Sequence, residues 1–429
     1  MSEAGRYREI AEASWDWVLA QVHEDDGPWL GEHEQQHEPP GDRDSLYAGI
    51  AGLAAVLAEI RLSRRWSPTE QRLADGIQRR LTAKASSEQE ASLYDGLAGQ
   101  ASALRLLEPG SEQPVLQRLN ELRTRDGWAS TMGISDGPMS DVVMGTAGIV
   151  MTALWAGDLA IAEFGCEALL RVAEQTPGGL DWRMHPGYGS SSPNFSHGTA
   201  GVASALALAG AALDREDYLV AALQGAQHVQ SVALTEGGGF VVPHTFPPSQ
   251  REVEPVTYGW CHGPTGTSLL FAALTRAGVP DFDGLRGRCL QTVLDAGVPE
   301  RLRPGFWDND GRCCGTAGVG DAMLDAAQDG LDLLPAAVTM ADALLERAVH
   351  GNRWQFLEHR QDPPELPAAT GWMQGAAGIS AFLLRLARVL DDGLDAPVVT
   401  RPDQWWAVPP ALAWPTGFSS RDEAELARP

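Results

Sequence analysis

The sequence predicts an all-α protein, an α/α toroid in which seven inner helices are ringed by seven outer ones. Two observations carry this: glycine pairs that recur in phase, and alternation of wholly apolar with amphipathic segments. Gly-x-x-Gly motifs begin at Gly49, Gly96, Gly145, Gly198, Gly263, Gly315 and Gly375, spaced 47 to 65 residues apart. Self-similarity at such a period marks a closed or stacked repeat array. The runs behind the motifs, such as GLAAVLAEI, GVASALALAG and GTSLLFAALT, are apolar or small nearly all round, as a helix buried on every side must be. Each is preceded by a segment with an arginine and acid face, at 5–22, 66–84, 112–125, 158–175, 215–233, 282–297 and 335–349. Two concentric rings satisfy both patterns. Glycines then gather where seven helix ends converge, and free N–H groups there are expected to face a ligand.

In chain order, the first outer segment leads into 23–44, an acidic stretch with His33 and His37 that reads as a solvated loop. Longer intervals mark insertions at 176–196, 235–259 and 351–370, the second with a short β-hairpin expected at Gly239–Val242. Each runs straight into a motif and so belongs at the mouth of the ring. Residues 1–391 form one toroid. The tail, 392–429, carries Trp405, Trp406 and Trp414 and is expected to strap across the outside or to fray.

The 429 residues carry a formal charge of −25, which argues against nucleic acid or an anionic membrane as partner. No basic start leads into an apolar run, and no stretch approaches ~18 uninterrupted apolar residues. A cytoplasmic protein without a membrane span is expected. Five cysteines, sparse and odd in number, are not a disulfide framework.

Phasing places the motif flanks at one end of the ring. They are Asp141, His197, Cys261 with His262, and Cys313 with Cys314, while Tyr47, Tyr94 with Asp95, and Trp372 with Gln374 fill the other repeats. An adjacent cysteine pair alone is weak evidence. Cys261 at the equivalent position of the preceding repeat brings three thiols to one point, a zinc site with an open fourth position. The alternative is a closed site with His262 as fourth ligand. Tyr258, Trp260 and His262 flank the first thiol and are expected to face substrate or support the ligands. Cys166 and Cys289 lie inside outer helices as core residues. For His197 the plain alternative is a core histidine bonded to a carbonyl; for Asp141 it is a helix N-cap.

The strings DVVMGTAG, NFSHGTAG, GWCHGPTG and CCGTAGVG resemble the lanthionine synthetase C family, cyclases that close thioether rings in lanthipeptides. The resemblance spans all seven repeats, roughly residues 40–390, and implies an α/α toroid. It implies Zn2+ on Cys261, Cys313 and Cys314, and acid/base roles for His197 and Asp141. It also implies addition of peptide cysteine thiolates to dehydroalanine or dehydrobutyrine of a dehydrated precursor peptide, with dehydration supplied by a partner dehydratase or kinase. Two departures stand out. Cys314 replaces the usual histidine, which makes the protein-ligated zinc site formally −1 and its bound substrate sulfur more nucleophilic. Thr257 stands where some members carry an arginine. The same motifs would serve addition of glutathione or another thiol to dehydroamino acids, or a leader-binding scaffold. An α/α-barrel carbohydrate enzyme, with its 14 tryptophans as sugar platforms, requires paired carboxylates at the mouth and leaves the phased cysteines unexplained.

Overall fold

The computed structural model describes residues 2–131, 137–248, 256–279, 282–359 and 361–404. The outer helices are α1 (Glu3–Ala20), α3 (Pro68–Lys84), α5 (Gln113–Glu121), α7 (Leu159–Val172), α9 (Glu216–Val232), α11 (Asp283–Asp295) and α13 (Leu334–Arg347). The inner helices are α2 (Ile50–Ser63), α4 (Leu97–Leu107), α6 (Thr146–Ala156), α8 (Thr199–Leu213), α10 (Pro264–Arg276), α12 (Thr316–Gln328) and α14 (Ala376–Asp392). The first glycine of every motif is the N-cap of its inner helix.

Inner helices pack side by side, from α2 through α4, α6 and α8 to α10, and from α12 through α14 back to α2. The junction of α10 with α12 is the slackest of the seven. An outer helix packs chiefly on the inner helix before it, as α9 does on α8 and α13 on α12. The last inner helix, α14, takes α1 from the other end of the chain, and this pairing closes the ring.

The motif glycines have a steric cause. The chain ahead of each inner helix folds back against the helix's first turn. A Cβ on Gly201 would lie 2.0 Å from the Phe195 carbonyl oxygen. The fold-back also satisfies the helix N-termini. Thr146, Ala147 and Gly148 donate their N–H groups to the carbonyls of Met139, Ser140 and Asp141 (2.9, 3.1 and 3.3 Å). The expected free N–H groups are therefore spent internally, which fits the requirement that buried backbone donors be paired.

Two residues ahead of each motif, the backbones join in a closed circle. Tyr47 N–H donates to Tyr94 O (2.9 Å), Tyr94 to Val143 (3.2 Å), Val143 to Ser196 (3.3 Å) and Ser196 to Cys261 (3.1 Å). Cys261 donates to Cys313 (3.1 Å), Cys313 to Met373 (2.8 Å), and Met373 back to Tyr47 (3.0 Å). Each repeat gives and receives a bond, and the third gives a second one, from Val142 to Ser196 (3.2 Å).

The insertions carry hairpins. The strand β1 (Val22–His23) pairs antiparallel with β2 (Trp29–Leu30), β3 (Glu174–Thr176) with β4 (Gly179–Asp181), and β5 (Gln355–Leu357) with β6 (Glu365–Ala368). The hairpin expected at Gly239–Val242 reduces to a single bridge between Leu234 and Val241, because a tight 3-10 turn at Glu236–Gly238 occupies the place of its first strand. Tryptophans serve the packing of helix ends. The buried indoles of Trp128, Trp182 and Trp354 donate to the carbonyls of Leu119, Leu169 and Leu344 on outer helices, so these three are no sugar platform.

The interior holds an ionic network that the apolar pattern hides. Glu59, Asp321, Asp325 and Asp403 meet Arg312, Arg385, Arg388 and Arg401 inside the ring. Burial alone would raise the Asp321 carboxyl, but three guanidiniums outweigh it and hold it far below the usual range. Arg401 and Asp403 belong to the tail. Residues 393–404 turn into the bore instead of crossing the outside, because their charged side chains find buried counter-ions there. Trp405, Trp406 and Trp414 lie outside the described residues.

Candidate metal centre

Cys261 and Cys313 are neighbours in the backbone circle, and Cys314 follows Cys313, so the repeat itself brings the thiols together. Their sulfurs lie within 4.8 Å of one another, with Cys261 Sγ and Cys314 Sγ 3.5 Å apart. Among the described residues this is the one cluster of metal-ligating side chains of its kind; His33 and His37 form no such group. Zn–S bonds of ~2.3 Å in a tetrahedron put sulfurs ~3.8 Å apart, so the thiol spacing fits zinc with little adjustment. Cys261 and Cys313 are buried, whereas Cys314 is exposed at the mouth. Hydrogen bonds from Cys261 and Cys314, and one from the Tyr47 hydroxyl, hold the Cys313 thiol well below its ordinary range. The same shared bonds push Cys261 up. Cys166 and Cys289 are buried in α7 and α11, and burial pushes both thiols up.

One repeat away stands His197, directly ahead of Gly198 and 26% exposed. Its Nδ1 lies 2.8 Å from Oδ2 of the fully buried Asp141. The other oxygen, Oδ1, accepts the Met144 N–H at 2.7 Å. Asp141 is thus no N-cap, since Gly145 holds that place; it braces the turn ahead of α6 and orients the imidazole at once. With Nδ1 taken by the carboxylate, Nε2 is the nitrogen left for other chemistry. Burial pulls the His197 pKa down, but the charge and hydrogen bond of Asp141 outweigh it and the net direction is up.

Two more imidazoles line the same end. The His262 ring centre is 5.8 Å from that of His197 and 4.4 Å from that of His244. Burial, with the two neighbouring histidines, keeps His262 neutral by lowering it well below its usual value. Burial also pulls His244 down to about 4. Of the three, His197 is the one built to carry a proton. Thr257, in the arginine's place, is structural. Its hydroxyl donates to the His262 carbonyl (2.8 Å) and sits 2.7 Å from His244 Nε2. A hydroxyl has one proton to give, so His244 must carry its own on Nε2.

Trp260 is buried beneath the site, edge-on to Tyr94 and Phe195 at 5.5 Å each, so it supports Cys261 rather than lining the mouth. Tyr258 is half-buried and packs near Phe306. Asp95 occupies the matching flank of the second repeat, where burial and the charges of Asp42 and Glu90 push it up to about 6. Sequence reasoning assigned no role to Tyr47 beside Cys313 or to His244. The phase of the repeat could have flagged Tyr47, which holds the same circle position as Cys313. Nothing in the sequence marks His244, which arrives from an insertion.

No curated protein matches the sequence. Among solved structures, the chain is similar to nisin cyclase, with 17% identity, a TM-score of 0.63, and coverage of 94% of this chain and 96% of that one. Weaker likenesses include the unsaturated glucuronyl hydrolase of Bacillus sp. GL1, at 12% identity and TM-score 0.42 over 91% and 97% of the two chains. Another is the alpha-1,6-mannanase of Salegentibacter sp. HEL1_6, at 14% identity and TM-score 0.44 over 90% and 99%. Residues 40–392 match the sequence profile described as lanthionine synthetase C-like protein. With seven phased repeats, a closed ring and a profile match over most of its length, the chain belongs to the lanthionine synthetase C-like family.

Proposed function

We propose that the protein is a lanthionine-forming cyclase that adds peptide cysteine thiols to dehydroalanine or dehydrobutyrine, with Cys261, Cys313 and Cys314 holding zinc. The observation that carries this is the placement of three thiols and the Asp141–His197 pair on adjoining repeats at one mouth. Membership of the family gives the pairing its chemical context. Zinc bound there would supply the positive charge that keeps an incoming thiol deprotonated near neutral pH.

The protein's own residues then manage one proton. A C–S bond forms at the β-carbon of the dehydroamino acid, and the π electrons of its double bond move toward the α-carbon and carbonyl. His197 Nε2 delivers a proton to the α-carbon, so the sum is addition of S–H across C=C with no leaving group. Asp141 fixes the tautomer and stabilises the imidazolium before transfer.

Metal analysis of the native chain beside Cys313→Ala tests the first half. One equivalent of zinc in the native chain and none in the variant is expected; a native chain free of zinc sinks the proposal. Incubation with a dehydrated peptide tests the second. Ring closure leaves the mass unchanged and removes the thiol from reach of an alkylating reagent. A cysteine-free dehydrated peptide that gains the mass of glutathione efficiently would favour the intermolecular reaction instead.

A further inference from the structure

Beyond Asp392 the chain follows an unexpected route. The Gln328 amide donates to the carbonyls of Leu394 (2.9 Å) and Ala396 (3.1 Å), and Arg388 Nε donates to Pro397 O (2.9 Å). The Trp155 indole donates to Thr400 Oγ1 (3.0 Å). Arg401 then meets Asp321 at 2.9 Å, the Gln404 amide donates to Asp325 at 3.3 Å, and Asp403 accepts the Tyr94 hydroxyl at 3.1 Å. These partners come from the second, third, sixth and seventh repeats. A short segment can touch all four sides only by lying in the bore.

Arg401, Asp403 and Gln404 line a narrow space together with Trp260, Leu269, Arg312 and Asp321. That space adjoins the slack junction of α10 with α12, the two helices whose leading residues are the thiols. Two chains of contact run from the tail to the centre. Asp403 holds Tyr94, whose ring packs edge-on to Trp260, and Trp260 directly precedes Cys261. Arg401 shares Asp321 with Arg312, and both guanidiniums lie over the Trp372 ring, at 5.4 and 4.2 Å. Arg312 directly precedes Cys313.

We propose that residues 396–404 are an internal prop for the metal centre, in which Asp403 and Arg401 are positioning residues that hold the neighbours of Cys261 and Cys313 in place. The proposal rests on the reading of the three thiols as metal ligands. Its physical basis is that partners outside the ligand shell fix ligand geometry, and that their loss weakens metal binding about 10–100-fold. Asp403 and Arg401 are suited to this because their own partners are buried and multiply bonded.

Cobalt(II) provides the test, since its thiolate charge-transfer and ligand-field bands report geometry independently of turnover. Full-length native chain, Arg401→Gln, Asp403→Ala, Tyr94→Phe and the Asp403→Ala/Tyr94→Phe double variant are titrated against a competing chelator. Helical content is followed by circular dichroism. Each single variant is expected to weaken cobalt binding by up to about 10-fold, the low end of the loss seen when a group bonded to a ligand itself is removed, and to shift the bands, with helical content retained. The double variant should be no weaker than Asp403→Ala alone, because the Tyr94 hydroxyl acts through Asp403. Native affinity and native bands in both Arg401→Gln and Asp403→Ala would overturn the proposal, as would loss of helix in step with loss of metal. A native chain that takes up no cobalt overturns the metal reading itself, and that shows before any tail variant is compared.

Discussion

Asp141 does two jobs with two oxygens, and substitutions can separate them. Asp141→Asn keeps an acceptor for the Met144 N–H but removes the charge that raises His197. The rate of thioether formation is expected to fall about 100-fold or more, the scale of a lost general acid, with little change in thermal stability. The sign of the pH effect follows from the direction of the shift. His197 is protonated below its raised pKa, so activity that needs the imidazolium is lost as pH rises through that value. Asp141→Asn should therefore move the alkaline limb to lower pH, which a pH–rate profile would show; an unmoved limb would take the proton donor away from His197. The same pair contributes stability below the unfolded histidine's pKa, and that contribution fades as pH rises through the folded value. At the cluster, Cys314→His is expected to keep the metal while altering ring distribution and the rate of retro-addition, because it removes one negative charge from the ligand set. Unchanged products from that variant would leave Cys314 without a special role.

The inner helices were legible in the sequence down to their first residue, because a motif glycine is the N-cap in all seven. What the glycines do was not. The N–H groups that follow them serve the fold-back of the preceding chain, a contact between residues seven apart that no periodicity reveals. Gly263 is the extreme case. It has φ of +122°, and a Cβ there would lie 2.2 Å from the Thr257 carbonyl oxygen. Gly263→Ala is expected to cost about 1–3 kcal/mol in backbone strain alone, and to loosen Cys261 two residues upstream. Thermal melts and zinc content together would check this; a variant with native melting and native zinc would show that the turn tolerates a side chain. The interior ion network was missed for a related reason. Asp321 and Asp325 stand four apart on one face of α12, and Arg385 and Arg388 three apart on α14. Two further members of the network, Arg401 and Asp403, lie in a tail that carries no repeat signal.

At the scale of the molecule, the chain closes twice. The α1–α14 pairing joins its two ends through side chains, and the backbone circle joins all seven repeats through main-chain bonds. Open repeat arrays fray from terminal units, but a ring has no terminal unit. Unfolding should therefore be one event. Native-state hydrogen exchange at Tyr47, Tyr94, Val143, Ser196, Cys261, Cys313 and Met373 is expected to report opening free energies within about 1 kcal/mol of each other. A graded series from the first repeat to the last would show that the closure is weaker than the repeats it joins. The toroid was readable from the motif spacing, whereas the passage of 393–404 through its centre was not, since a segment's route depends on counter-ions far away in sequence.

The backbone circle also sets where chemistry can be written. Main-chain bonds hold the residue two ahead of each motif whatever its side chain, and tyrosine, valine, serine, cysteine and methionine all occupy that position here. The ring thus offers seven interchangeable addresses, with reactive groups entered at consecutive ones and packing residues at the rest. A binding centre on such a frame could be moved around the dial by rewriting two side chains per repeat, with the scaffold that carries them left untouched.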